Sequence, residues 1–173
     1  MDSSFNPPFH SVPLVLDHFA HPQLNKGGTD IPVEIPGYRS LLDLYAHPGS
    51  KLYVKVSGQY RIVPPTQGTR AEPSKRETPT NDVDTDEYPE LKRIFLDLAR
   101  IDPTRLVWGS DWPHTRFEGI DTIGWARTVV GWCRDLAREQ AGQGAQADER
   151  ARELVGIVFK TNAAELWLGR RVR

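Results

Sequence analysis

Three short apolar runs, PLVLD at 13–17, LYVKV at 52–56 and RLVW at 105–108, alternate with segments whose apolar residues recur at helical spacing. That alternation constrains the fold more than any other feature. Parallel strands need long crossover connections, and a helix is the usual one. Continuous apolar runs of this length fit strands buried on both faces, and Pro13 stands at a first position, where a strand tolerates proline. Between the first two runs, Tyr38, Leu41, Leu42 and Tyr45 mark a short helix that His47-Pro48-Gly49 stops. Leu91, Ile94, Phe95 and Leu98 mark a second helix before the third run.

Beyond the third run, Ile123, Ala126, Val130, Cys133 and Ala137 share one face of a long helix, widened by Val129, Trp132 and Leu136 and ended by AGQGAQ at 141–146. A last helical region carries Ala151, Leu154, Val155 and Val158. Asn162, with Glu165 three residues on, has the pattern of a helix N-cap and its partner, and Gly169 that of a C-terminal stop. The expected class is α/β, a parallel sheet with covering helices. Three strands are few for such a sheet, and its outer edges would need a cover.

A chain of 173 residues suits one domain, here 1–173. Residues 62–87 interrupt it with a run that loses all periodicity and fills with Pro, Thr, Glu, Asp and Arg, too long for a plain turn. Lys plus Arg (22) nearly balance Asp plus Glu (23), so no global field favours nucleic acid or an anionic membrane. The single cysteine, Cys133, excludes an internal disulfide framework and is expected to be a packed core thiol. The start MDSSFNPPFHSV lacks the basic and apolar regions of a secretory signal, and no apolar window is long enough to span a bilayer. A cytoplasmic protein is the expectation.

In parallel α/β architectures ligands gather beyond the carboxyl ends of the strands. The first run ends in Asp17-His18, the second in Ser57-Gly58 with Tyr60 and Arg61 just past it, and the third in Gly109-Ser110-Asp111. Asp111 has two readings: a cap on the following loop, or a carboxylate that ligates a metal or takes a proton from water. His18 also has two readings: a satisfied structural side chain or, paired with Asp111 across the sheet, an imidazole ligand or acid–base group. Arg61 is a candidate clamp for a substrate carboxylate, and Ser57, Tyr60 and His114 are candidate substrate contacts. Lys55 alternates away from the core-facing side chains and receives no role. The chain has no GxGxxG, GxxxxGK[ST], GxSxG or HExxH motif, which removes support for dinucleotide, P-loop, serine-hydrolase and zincin readings.

"LVWGSDWPH" at 106–114 resembles the last-strand motif of the amidohydrolase-related family of TIM-barrel hydrolases. "LVLDHFAHP" is similar to that family's histidine-bearing strand, "LYVKVSGQYR" to the segment between the two, and "TNAAELW" to its closing helix. These four motifs run in the family's order from about residue 13 to 168, and their wording is most similar to the 2-pyrone-4,6-dicarboxylate lactonase-like branch. The resemblance implies a partial (β/α)8 barrel, its C-terminal half, with parallel strands and covering helices. It implies that Asp111 activates the hydrolytic water, that His18 is the histidine of the fifth barrel strand, and that Arg61 holds a carboxylate of a small anionic substrate, a lactone or other cyclic ester or amide. In metal-using relatives His18 and Asp111 would ligate a divalent metal such as zinc, whereas the lactonase-like branch can work without one.

One departure stands out: the family's opening HxH pair occurs nowhere in this chain. The competing expectation is therefore a catalytically inactive half-barrel or an interaction module. In either case a homodimer or a partner chain is expected to cover the open barrel. Placed right after Arg61, the 62–87 insertion is expected to be a polar flap at the mouth of the site. Limited proteolysis should cut there first, and protection of that segment would contradict the expectation.

Overall fold

A computed structural model describes residues 12–22, 37–62, 89–115 and 121–169. Of the insertion, 63–87 lie outside the described residues, as do Arg170, Arg171 and Arg173. The elements follow the expected alternation: β1 (Leu14–Leu16), α1 (Tyr38–Ala46), β2 (Leu52–Val56), α2 (Gln59–Ile62), α3 (Pro89–Ile101), β3 (Leu106–Trp108), α4 (Thr122–Ala141), α5 (Ala145–Gly156) and α6 (Asn162–Leu168). The three strands form one parallel sheet in the order β1-β2-β3, with Leu16 opposite Val54 and Val54 opposite Leu106. This α/β arrangement, with helices covering one face, is consistent with part of a (β/α)8 barrel.

Alternation along β2 sorts its side chains: Leu52, Val54 and Val56 are buried, while Tyr53 and Lys55 on the opposite face are half-buried. The buried set packs on Leu91, Ile94, Phe95 and Leu98 of α3 and on Trp125, Val129, Trp132 and Leu136 of α4. Cys133 lies in that core, where burial pushes its thiol up to about 12. Among the described residues no helix is long and apolar enough to cross a membrane.

Three local expectations are corrected. The first strand covers Leu14–Leu16 rather than 13–17 and is not buried on both faces; Leu14, which begins this edge strand, is 43% exposed. Arg105 is not in the third strand but ends a 3-10 turn, Pro103–Arg105, capped by Asp102, whose side chain accepts from Thr104 N–H at 2.9 Å. Asn162 caps no helix, since α5 passes through a π-helical turn, Ile157–Thr161, straight into α6. Gly169, at φ 61°, does end α6.

Asn162 instead does a different job. It is buried, and its Nδ2 donates to the carbonyls of Pro103 at 2.8 Å and Leu106 at 2.6 Å, tying the last helix to the start of β3. Phe159 of the π-helical turn stacks on Trp108 with ring centroids 5.1 Å apart, fastening the other end of the same strand. Truncation of the amide leaves one buried and one part-buried carbonyl without that donor. Asn162→Ala should lower stability by about 2–4 kcal/mol, read as a fall in the denaturant midpoint; a variant as stable as the parent would contradict this role.

Candidate active site

β1 runs into a turn unlike the rest of the backbone. His18, Phe19, Ala20 and His21 all adopt left-handed angles, with φ of 52, 53, 64 and 53°. Such a conformation costs roughly 1–2 kcal/mol per residue that is not glycine. Ala20 N–H donates to Asp17 O at 3.0 Å and His21 N–H to His18 O at 2.7 Å, closing the turn. Its anchor is Phe19, fully buried, with its ring edge-on to Trp125 and Trp132 at centroid distances of 6.0 and 6.5 Å. The anchored turn delivers His18 to the carboxyl end of β2.

There the imidazole meets Ser57 and Gly58. His18 Nδ1 lies 3.0 Å from Ser57 Oγ. Gly58 has φ 65°, and a Cβ at that position would stand 2.3 Å from His18 Nδ1. Glycine is therefore required for two reasons, its backbone angle and the closeness of the ring. Ser57 is completely buried, behind the histidine rather than at an open surface.

On the other side, His18 Nε2 is 3.8 Å from Asp111 Oδ1. Asp111 follows β3 through Gly109-Ser110 and has φ 60°, a conformation aspartate tolerates better than most residues. Its Oδ2 accepts the Nε–H of Arg61, in α2, at 2.7 Å. Gly109 makes room as well, since a Cβ there would stand 3.0 Å from Lys55 Cε. Lys55 in turn sits 2.8 Å from Asp17 Oδ1. Two ion pairs, Asp17–Lys55 and Asp111–Arg61, thus flank the His18 imidazole along the carboxyl edge of the sheet.

Burial holds the His18 imidazole below its ordinary 6.5, outweighing the opposite pull of Asp111 and Asp17, and Arg61 and Lys55 add to the lowering. The ring is neutral at pH 7. With a carboxylate oxygen facing Nε2, the arrangement favours a proton on Nε2 and a Ser57 hydroxyl that donates to Nδ1.

The structure thus brings together His18, Asp111, Arg61 and Ser57 of the residues singled out by sequence. Tyr60 lies in α2, and its side chain is outside the described residues. His114 is exposed and stands apart from this chain of contacts. Two residues were missed. Lys55 is signalled by alternation along LYVKV, which turns it from the core toward the side where Asp17 lies, and Gly58 by a glycine directly after a strand-ending serine.

The donors among the described residues do not make a zinc centre. His18 Nε2 and Asp111 Oδ1 are two donors, whereas catalytic zinc takes three from the protein. Among the described residues no group of three His, Cys, Asp or Glu side chains converges. Asp111 already has a guanidinium on its second oxygen.

The profile of a family described as amidohydrolase matches residues 2–168. A curated relative from Hydrogenophaga intermedia, a 4-sulfomuconolactone hydrolase, is 32% identical over 107 residues, 62% of this chain and 27% of that protein. A 4-sulfomuconolactone hydrolase from Rhizobium radiobacter is 28% identical over 106 residues, 61% of this chain and 27% of that protein. The chain thus spans little more than a quarter of the curated relatives it matches. No solved structure matches it significantly.

His18 should titrate below 6.5 when followed by NMR, and Asp111→Asn should lower the value further by removing the largest opposing charge. The unfolded imidazole binds the proton more readily. Stability from this group is therefore fully present above 6.5 and is lost as pH falls through the lowered value. A His18 titration that rises or stays put in the variant would contradict the assignment.

Proposed function

The chain belongs to the amidohydrolase family, and from that premise we propose that it serves the hydrolysis of a lactone bearing an anionic group, with Asp111 as the base that activates water. The observation that carries the reading is the convergence of Asp111 with His18 at 3.8 Å and with Arg61 at 2.7 Å, beyond the carboxyl ends of three parallel strands. The two lactone-hydrolase relatives support the substrate class.

In this reading water loses a proton to the Asp111 carboxylate as its oxygen bonds to the lactone carbonyl carbon. The tetrahedral adduct then collapses and the ring C–O bond breaks. The departing ring oxygen takes the proton back from Asp111, leaving a hydroxy acid. Neutral His18, its ring held by Ser57, directs an N–H toward the reacting centre, where it steadies the developing oxyanion. The Arg61 guanidinium suits a substrate carboxylate or sulfonate, which its planar donors can grip in pairs. The two donors found among the described residues do not complete a metal site, and these steps need none.

The test is hydrolysis of anionic lactones by the purified chain, with and without a chelator. Asp111→Asn should cost about a hundredfold to ten-thousandfold in kcat, the usual range for a general base, while chelator leaves the rate unchanged. Loss of activity on chelation would bring a metal into the site. Absence of turnover would favour the competing reading of a non-catalytic half-barrel.

A further inference from the structure

Lys55 takes no part in the hydrolysis above, yet the fold makes room for it. It alternates to the face of β2 opposite the helix-covered core. Its stem runs along the backbone at Gly109, where a Cβ would stand 3.0 Å from Lys55 Cε and 3.5 Å from its Cγ. The same Cβ would be 3.5 Å from the Cβ of Ser57, so the stem lies in a slot between the ends of β2 and β3 that the glycine leaves open. A lysine on an open surface reaches water without such a slot. Here the stem carries the ammonium along the carboxyl edge of the sheet, near enough to His18 for its charge to oppose the imidazolium, as the Arg61 charge does.

The two ion pairs beside His18 differ in how firmly they are held. Asp111 is 9% exposed and bonded to Arg61 among other partners, so it stays in place. Asp17 is 59% exposed and Lys55 31% exposed, and a pair so open to water contributes little, because its carboxylate is nearly as well solvated alone. Among the described residues Asp17 is the only ion-pair partner of Lys55, and its Oδ1 at 2.8 Å takes one of the three ammonium donors. An anion reaching this edge therefore finds a cation whose present partner is released at small cost. As Asp17 turns into solvent, the like charge that would repel the anion leaves with it.

We propose that Lys55 is an anion-binding residue of the site, whose ammonium receives a carboxylate or sulfonate of the ligand beside His18 as Asp17 turns away. That the ligand is a lactone rests on the reading above; the contact with an anion does not. Where Arg61 holds one anionic group, Lys55 gives preference to a ligand that carries a second. The competing role for the pair is to tie down the left-handed turn, since Asp17 precedes His18 and its carbonyl accepts from Ala20 N–H. The two roles separate at Asp17. A displaced partner competes with the ligand, whereas a tie is needed for the ligand to bind.

The experiment measures the affinity of glutarate and of its monoamide, glutaramate, by titration calorimetry with the unmodified chain, Lys55→Met and Asp17→Asn. The unmodified chain should bind glutarate about tenfold more tightly than the monoamide, the size of one charge-assisted contact. Lys55→Met should abolish that preference and leave the monoamide affinity unchanged, while Asp17→Asn should keep the preference or enlarge it. Equal binding of the two ligands by the unmodified chain, or a preference that survives in Lys55→Met, overturns the proposal. So does a loss of preference in Asp17→Asn that matches Lys55→Met, because the pair would then serve only as a tie. If the preference behaves as expected but no lactone is turned over, the hydrolase reading fails and the anion contact stands. Should Lys55→Met not fold, the 13Cε resonance of Lys55 in the unmodified chain decides the matter. It should move as glutarate is added, and a resonance that stays in place overturns the contact.

Discussion

Phe19, packed edge-on against Trp125 and Trp132, is the contact on which the site depends. Four successive left-handed residues would not persist in a free chain. Burial of one phenylalanine contributes about 1.5–3 kcal/mol, and each aromatic pair about 0.5–1.5 kcal/mol more. Those gains are of the same order as the strain of the turn, and the bonds from Ala20 and His21 add to them. The core thereby holds the conformation that delivers His18. Trp132 extends the arrangement, lying 5.6 Å from Phe95 and 5.3 Å from Trp125, so α3 and α4 brace the turn together. Packing and site share these side chains.

Once delivered, His18 is governed by competition between burial and charge. Burial opposes the imidazolium, two carboxylates favour it, two cations oppose it, and burial is the largest of these. A neutral ring between Ser57 and Asp111 is the result. It suits an N–H aimed at a reacting oxygen better than a fixed positive charge, which would tie Asp111 into an ion pair of its own. Asp111 is already shared with Arg61. The site therefore stands nearly balanced in charge, each carboxylate beside a cation.

Much of this was legible in the sequence. Strand β2, the helices α1, α3 and α4, the end of α6 and the gathering of His18, Arg61 and Asp111 at strand ends followed from apolar periodicity, stop residues and the family resemblance. Other features were not legible, for identifiable reasons. Asn162 carries the local pattern of a cap, but its amide is claimed by two distant carbonyls, so tertiary bonding overrides local chemistry. The left-handed turn contains no glycine, and nothing in DHFAH marks it without the aromatic cluster that stabilises it. Ser57 is polar beside a strand end, a pattern shared by substrate contacts and by residues that orient another side chain; burial separates the two.

The link between core and site is sharpest in β2. Alternation there sends Val54 and Val56 into the core and Lys55 to the side of Asp17, while the residues that follow set Ser57 and Gly58 against His18. A register slip of one position would put Lys55 into the core and an apolar side chain toward Asp17. The burial of Val54 and Val56 against α3 and α4 thus does more than stabilise the sheet. It fixes which residue of the next two, the serine or the glycine, supplies the hydroxyl and which leaves room for the ring. A Cβ at position 58 would collide with the imidazole, so the reverse order of those two residues would not admit His18. The choice of register in the core is at the same time the choice of geometry in the site.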